Sequence, residues 1–173
     1  MIQGQRVSII PFHRRFITSK YINWLNDPDV HRFSNQRAQV HTATSCLEYL
    51  DSYRNSGDMF WAIVEIDEGH GHIGNISAFI DKESQVADIG IVIGEKQLWG
   101  KGYGLEAWLA VCDYLFSNES ILKITGGTVV TNEAMVSIFR KAGMREQSSS
   151  ISQELVGGEL KDVVKFELLK WTD

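Results

Sequence analysis

Apolar positions along the chain recur at two periods, and the change from one to the other divides it into elements. Alternating or β-branched runs at residues 7–11, 59–66, 72–80, 86–93 and 123–130 predict strands. Two further runs, 146–155 and 163–170, flank Gly157-Gly158 and predict a terminal hairpin. Helical spacing appears at 17–26, where Asn26-Asp27-Pro28 stops the helix, and at 45–54. In the second of these, Cys46, Leu47, Leu50 and Tyr53 form the apolar stripe, and Ser45 with Glu48 reads as a capping box. A longer helix over 102–116 carries Leu105, Trp108, Leu109, Cys112, Leu115 and Phe116 on one face. A last helix spans 132–142, with Gly143 placed to end it.

The strands between 59 and 93 are joined by Asp67-Glu68-Gly69-His70 and Asp81-Lys82-Glu83-Ser84, links short enough for an antiparallel meander. The order of elements then gives a β-α-β crossover and a closing hairpin. This predicts an α/β fold in the α+β sense: a central, mostly antiparallel mixed sheet with flanking helices. No repeat, low-complexity tract or linker interrupts it, so residues 1–173 read as one domain.

Composition narrows the class of function. With 43% hydrophobic and 23% charged residues the chain is an ordinary soluble globule, and no run is long and apolar enough for a membrane. The start, Met1 to Arg6, has no secretory signal pattern, and Cys46 and Cys112 sit on apolar helix stripes as reduced core residues, so a cytoplasmic protein is expected. Seventeen basic against 22 acidic side chains give a net charge of −5, which disfavours nucleic acid as a partner.

The chemistry concentrates where the 86–93 strand meets the 102–116 helix. The link contains Gln97-Leu98-Trp99-Gly100-Lys101-Gly102-Tyr103-Gly104. A glycine-punctuated turn from strand into helix presents free backbone N–H groups and a positive dipole end to an anion. A Walker A loop would need glycine at Glu95 and Ser or Thr at Gly102, and a dinucleotide fingerprint would need Gly or Ala at Leu105. Both are excluded.

The segment fits Q/R-x-x-G-x-G/A and resembles the pyrophosphate-binding segment of the GCN5-related N-acetyltransferase (GNAT) superfamily. The run from Trp99 to Ala107 looks especially like its branch of ribosomal-protein N-terminal acetyltransferases. A second segment, Thr131 to Met135 continuing through Phe139 to Met144, is similar to that superfamily's later CoA-contacting helix. The resemblance implies acetyl-CoA as cosubstrate, its acetyl group transferred directly to a primary amine such as a protein N-terminus or a nucleotide-linked amino sugar. It implies a sheet in which the strand ending Ile91-Val92-Ile93 splays from the next one and pairs with the pantetheine arm. The residues from Gln97 to Gly104, with Asn132 and Phe139, would complete the cofactor site. A backbone N–H near Val92 or Ile93 would polarise the thioester carbonyl.

For the amine's proton, Asp88 is the acid of the strand leading to the motif, pointing opposite Ile89 and Ile91. It reads either as base, as ammonium anchor, or as a solvated carboxylate, while Glu95 reads as a solvated turn residue. Many GNAT enzymes carry a tyrosine seven residues after the helix-start asparagine; here Phe139 stands there, so no general acid is in place for the thiolate. Asn132 reads as a pantetheine contact or as a helix N-cap. Asn75 and Ser77 alternate to one strand face and are candidate substrate contacts. The polar link from His31 to His41 falls where such enzymes form the acceptor site, which makes Arg32, Asn35, Gln36, Arg37 and His41 further candidates. His70 and His72 lack a third ligand, so no metal is expected. The aromatic residues of Met59-Phe60-Trp61 and Trp108 read as core. The alternatives are a non-catalytic acyl-CoA-binding module and a structural domain; the expected assembly is a monomer or homodimer.

Overall fold

The computed structural model describes residues 1–34, 39–118, 120–147, 152–156 and 158–170. Nine strands form one sheet: β1 (Ile2–Gln3), β2 (Val7–Pro11), β3 (Met59–Glu65), β4 (His72–Asp81), β5 (Val86–Ile93), β6 (Lys123–Val129), β7 (Arg145–Glu146), β8 (Ser152–Val156) and β9 (Glu159–Leu169). The order is β1-β2-β3-β4-β5-β6-β9-β7, with β8 on β9. Four helices flank it: α1 (Ser19–Leu25), α2 (Ala43–Ser52), α3 (Tyr103–Asn118) and α4 (Glu133–Lys141). Every pairing is antiparallel except β5–β6, which α3 joins as a crossover. No helix among the described residues is long and apolar enough to cross a membrane.

Strand alternation assigns the two faces. One face of β2 to β6 presents Ile9, Ile63, Ile76, Ile89 and Ile124, fully or nearly buried against Trp108, Val111 and Leu115 of α3. Each such side chain removed from water contributes about 1.5–3 kcal/mol before chain entropy is counted. Gly126 of β6 makes room there for α4: a Cβ at that position would stand 2.8 Å from the Phe139 ring. Phe139 in turn packs edge-on against Trp108 and tilts against Phe166. The opposite face carries a second cluster of Phe12, Tyr21, Cys46 and Ala62 under α1 and α2. Both cysteines are buried and form no disulfide with each other.

The sheet opens where the site lies. β5 and β6 pair only over Val86–Lys123, Ala87–Ile124 and Asp88–Thr125. Beyond that point β5 stays in register with β4 as far as Ile93, while β6 follows β9 as far as Val129. The two central strands therefore diverge, and among the described residues no strand pairs with this edge of β5 from Ile89 to Ile93.

Several elements differ from their expected form. The capping box of α2 is made by Thr42 and Ser45, not Ser45 and Glu48, because the helix begins one turn earlier. The 146–155 run divides into β7 and β8, which pair with different parts of β9. β1, too short for any period, pairs with β2. Gly143 ends α4 at φ 74°, the left-handed conformation of a helix stop.

Candidate active site

The glycine turn is built by a short 3-10 turn (Lys96–Leu98) followed by positive φ at Gly100 (74°) and Gly102 (89°). Both angles are strained for any residue with a Cβ. The first intrahelical bond of α3 runs from Glu106 N to Gly102 O. The N–H groups of Tyr103, Gly104 and Leu105 therefore precede it and point out of the helix start. Leu98 and Tyr103 are buried in the core, so their side chains are spent on packing and only their backbone faces the turn. Trp99 is 44% exposed, and its indole N–H donates to the Ile93 carbonyl at 2.7 Å, tying the turn to the end of β5. Gly104 lies close to both Ile93 and Ile138. Gln97 and Lys101 are exposed at the turn, and the Lys101 carbonyl accepts from Arg6.

Arg6 is the residue of this turn that sequence reasoning missed. Its side-chain Nε donates to Glu106 at 2.9 Å, its backbone N–H donates to the same carboxylate at 2.5 Å, and its guanidinium lies 4.3 Å from the Tyr103 ring centroid. It also borders Gly102. A hundred residues separate Arg6 from Glu106, so no local pattern could reveal the pair.

Beside the open edge of β5 lies a cavity of about 590 Å³. Asn75, Ser77, Gly90 and Val92 line it from the α1/α2 face; Ile89, Ile91 and Phe139 line it from the other, so it passes through the divergence of the strands. Asn75 and Ser77 are buried neighbours of Phe60 and Ala62 on β3. Asn75 Oδ1 accepts from His72 Nε2 at 2.9 Å, and the Gly74 carbonyl accepts from the same nitrogen at 3.0 Å. Two acceptors on one ring nitrogen fix the tautomer with the proton on Nε2. His72 sits among the rings of Phe16, Tyr21 and Trp24, and burial holds it below the usual histidine range. It is half-buried among these rings and takes no part in the cavity lining.

Asn132 reaches the cavity as the N-cap of α4. Its Oδ1 accepts from Met135 N at 3.3 Å and its Nδ2 donates to Thr128 at 2.9 Å, so both ends of the amide are engaged. Phe139 contributes one edge to the cavity and is otherwise core, 1% exposed. His41 lines the cavity, with its backbone held at both N–H and C=O by the Asn26 side chain. Arg32 does not line it: the side chain is exposed and lies over Phe33. Asn35, Gln36 and Arg37 fall outside the described residues. Phe60, expected in the core, is half-buried and forms part of the cavity wall.

Asp88 stands at the last β5–β6 pair, the apex of the divergence. It lines an adjoining pocket of about 520 Å³, which shares Phe33, Gly127 and Thr128 with the cavity. The Thr125 hydroxyl donates to Asp88 at 2.6 Å. Desolvation pushes the Asp88 carboxyl above its ordinary value, opposed by the Thr125 hydroxyl and by Lys165. His31, which carried no pattern in the sequence beyond a polar loop, is buried at the cavity wall, and its Nε2 has no partner among the described residues. Burial, with His41 beside it, holds its pKa down.

An open strand edge, a glycine-lined helix start and a cavity beside them are what a thioester cosubstrate and an acceptor would need together. The sequence model of the acetyltransferase (GNAT) domain matches residues 6–145. An N-acetyltransferase 9-like protein of Caenorhabditis briggsae is 25% identical, over 92% of this chain and 87% of that protein. An uncharacterised N-acetyltransferase, p20, of Bacillus licheniformis is 28% identical, over 84% and 83% respectively. The structure of RimL, a ribosomal L7/L12 alpha-N-protein acetyltransferase in complex with coenzyme A, superposes with a TM-score of 0.84 at 13% identity, covering 96% of this chain and 95% of that one. The chain belongs to the GNAT family of N-acetyltransferases.

Proposed function

We propose that the protein transfers the acetyl group of acetyl-CoA directly to a primary amine, with the cosubstrate along the open edge of β5 and its pyrophosphate at the Gly100–Gly104 turn. The observation that carries this reading is the loss of β5–β6 pairing beyond Asp88, directly alongside a glycine turn that opens α3. The residues present fit such a group. Gly100 has nothing within 4 Å of where a Cβ would stand, and three N–H groups at the helix start have no intrahelical acceptor.

Acetyl-CoA supplies an activated thioester there: the C–N bond forms as the C–S bond breaks, and the departing thiolate takes up a proton. The chain's own part is to bind, orient and manage protons. Backbone groups of Ile91 to Ile93 and of Gln97 to Gly104 hold the cosubstrate, and the Arg6–Glu106 pair fixes the turn. Asn132 caps the start of α4 at the cavity wall and contacts the pantetheine arm; a carboxamide has no acidic proton to give the thiolate. Asp88 takes the amine's proton or anchors the ammonium, from its place at the last β5–β6 pair beside the Thr125 hydroxyl. Asn75, Ser77 and His41 contact the acceptor. Phe139 has no proton to give, so thiolate protonation falls to water or to the incoming amine.

The test is a thiol assay. Free CoA should appear when protein, acetyl-CoA and an amine are present together, and acetylated amine should accumulate in equal amount. Thiol release that does not depend on amine would refute transfer.

A further inference from the structure

Glu106 is an acidic residue in the first turn of α3, the end of the helix that opens on the glycine turn. A carboxylate there suits the helix dipole of the unliganded chain but opposes any anion brought to the same N–H groups. Its side chain is 16% exposed, so solvent and salt screen it weakly. Arg6 holds both of its oxygens: the backbone N–H donates to Oε1 and the side-chain Nε to Oε2. Gly4, in the link before β2, makes room for the carboxylate, since a Cβ there would stand 2.9 Å from Oε1. The Arg6 guanidinium also donates to the Lys101 carbonyl at 3.2 Å. One guanidinium thus engages a carbonyl just before Gly102 and a carboxylate one turn after it.

We infer that Arg6 is a positioning residue for cosubstrate binding: by compensating Glu106 and holding the Lys101 carbonyl, it makes the start of α3 fit for the negative charge of a pyrophosphate. This rests on the placement of acetyl-CoA proposed above. An ion pair whose arginine is 40% exposed adds little to folding stability. Its effect falls instead on the potential at the N–H groups of Tyr103, Gly104 and Leu105, which precede the first intrahelical bond. The two partners are therefore unequal. Loss of Arg6 leaves an unmatched carboxylate beside the bound anion, whereas loss of the Glu106 charge leaves an unmatched cation there. A bond that served the fold alone would make the two losses alike.

Calorimetric titration with acetyl-CoA compares the unmodified protein with Arg6→Gln, Glu106→Gln and the variant carrying both substitutions. Arg6→Gln should weaken binding about tenfold, the effect of one unmatched charge at a helix start. Glu106→Gln should bind at least as tightly as the unmodified protein, and the double variant should recover most of what Arg6→Gln loses. In about 0.5 M NaCl the gap between Arg6→Gln and the unmodified protein should narrow. Equal losses in the two single variants, or a double variant no better than Arg6→Gln, would overturn the inference and leave the acetyl-CoA site standing. Absence of binding by the unmodified protein would overturn both. Should Arg6→Gln fail to fold, Glu106→Gln decides, because it breaks the same ion pair: undiminished affinity there sustains the inference and weakened affinity overturns it.

Discussion

Local surroundings set the behaviour of Asp88, at the apex of the strand divergence, and of His72, among the rings under α1. A base works only when ionised, so the acid limb of kcat/KM should follow the raised Asp88 pKa. Asp88→Asn should remove that limb and lower turnover by about 10²–10⁴-fold. A loss below about threefold with the pH profile intact would reduce Asp88 to a partner for Thr125. A raised KM for the amine with unchanged kcat would make it an ammonium anchor. His72 acts on stability instead. Its unfolded pKa lies near 6.5 and its folded pKa lower, so between the two values the unfolded chain binds more protons. Stability is then complete above about pH 6.5 and falls as pH drops toward the folded value; His31 contributes in the same direction. The Tm should accordingly fall between pH 7.5 and pH 5, and His72→Gln should flatten part of that slope while lowering the Tm at pH 7.5. A Tm independent of pH across this range would contradict a His72 held neutral in the fold.

Among the elements, the glycine turn and α4 make contributions of different size to cosubstrate binding. Gly102 holds φ at 89°, which a β-branched side chain resists, and a valine there would also crowd Arg6. Asn132 contributes a cap worth about 1 kcal/mol. Calorimetric titration should find acetyl-CoA affinity lowered more by Gly102→Val than by Asn132→Ala, with both proteins folded; the opposite ranking would displace the pyrophosphate from this turn. Gly94 has a purely structural role. A Cβ there would run into the Trp24 ring of α1, so Gly94→Ala should lower the Tm by pushing α1 off the end of β5. An unchanged Tm would mean that α1 moves freely. These elements also mark how much the sequence disclosed. β5, the turn and the α4 cap were legible because each is specified locally, by β-branched composition, glycine spacing and an asparagine before an apolar stripe. The cap of α2 was misassigned because Thr42 and Ser45 offer the same chemistry one turn earlier. The 146–155 run was read as one strand because alternation does not disclose which part of β9 each half meets.

At the scale of the whole molecule, the site is an outcome of sheet registration more than of any one motif. β5 keeps to β4 and β6 keeps to β9, and the opening between them exists because those two pairings diverge. The cavity wall draws on α1, α2, β3, β4, β5 and on residues 31, 33, 34, 39 and 41, far apart in sequence with no shared period. Phe60 and Tyr49 were for that reason not recognisable as cavity residues. Arg6 closes the turn from the other end of the chain. The account stands on the claim that this opening and the glycine turn together hold acetyl-CoA. Thermal unfolding with and without acetyl-CoA tests it most directly, with Gly102→Val run in parallel. At a hundredfold excess over Kd the ligand should add about 2.7 kcal/mol to the stability of the unmodified protein, raising its Tm, and should add little to the variant. A Tm unmoved by millimolar acetyl-CoA, or moved equally in both proteins, would contradict the account.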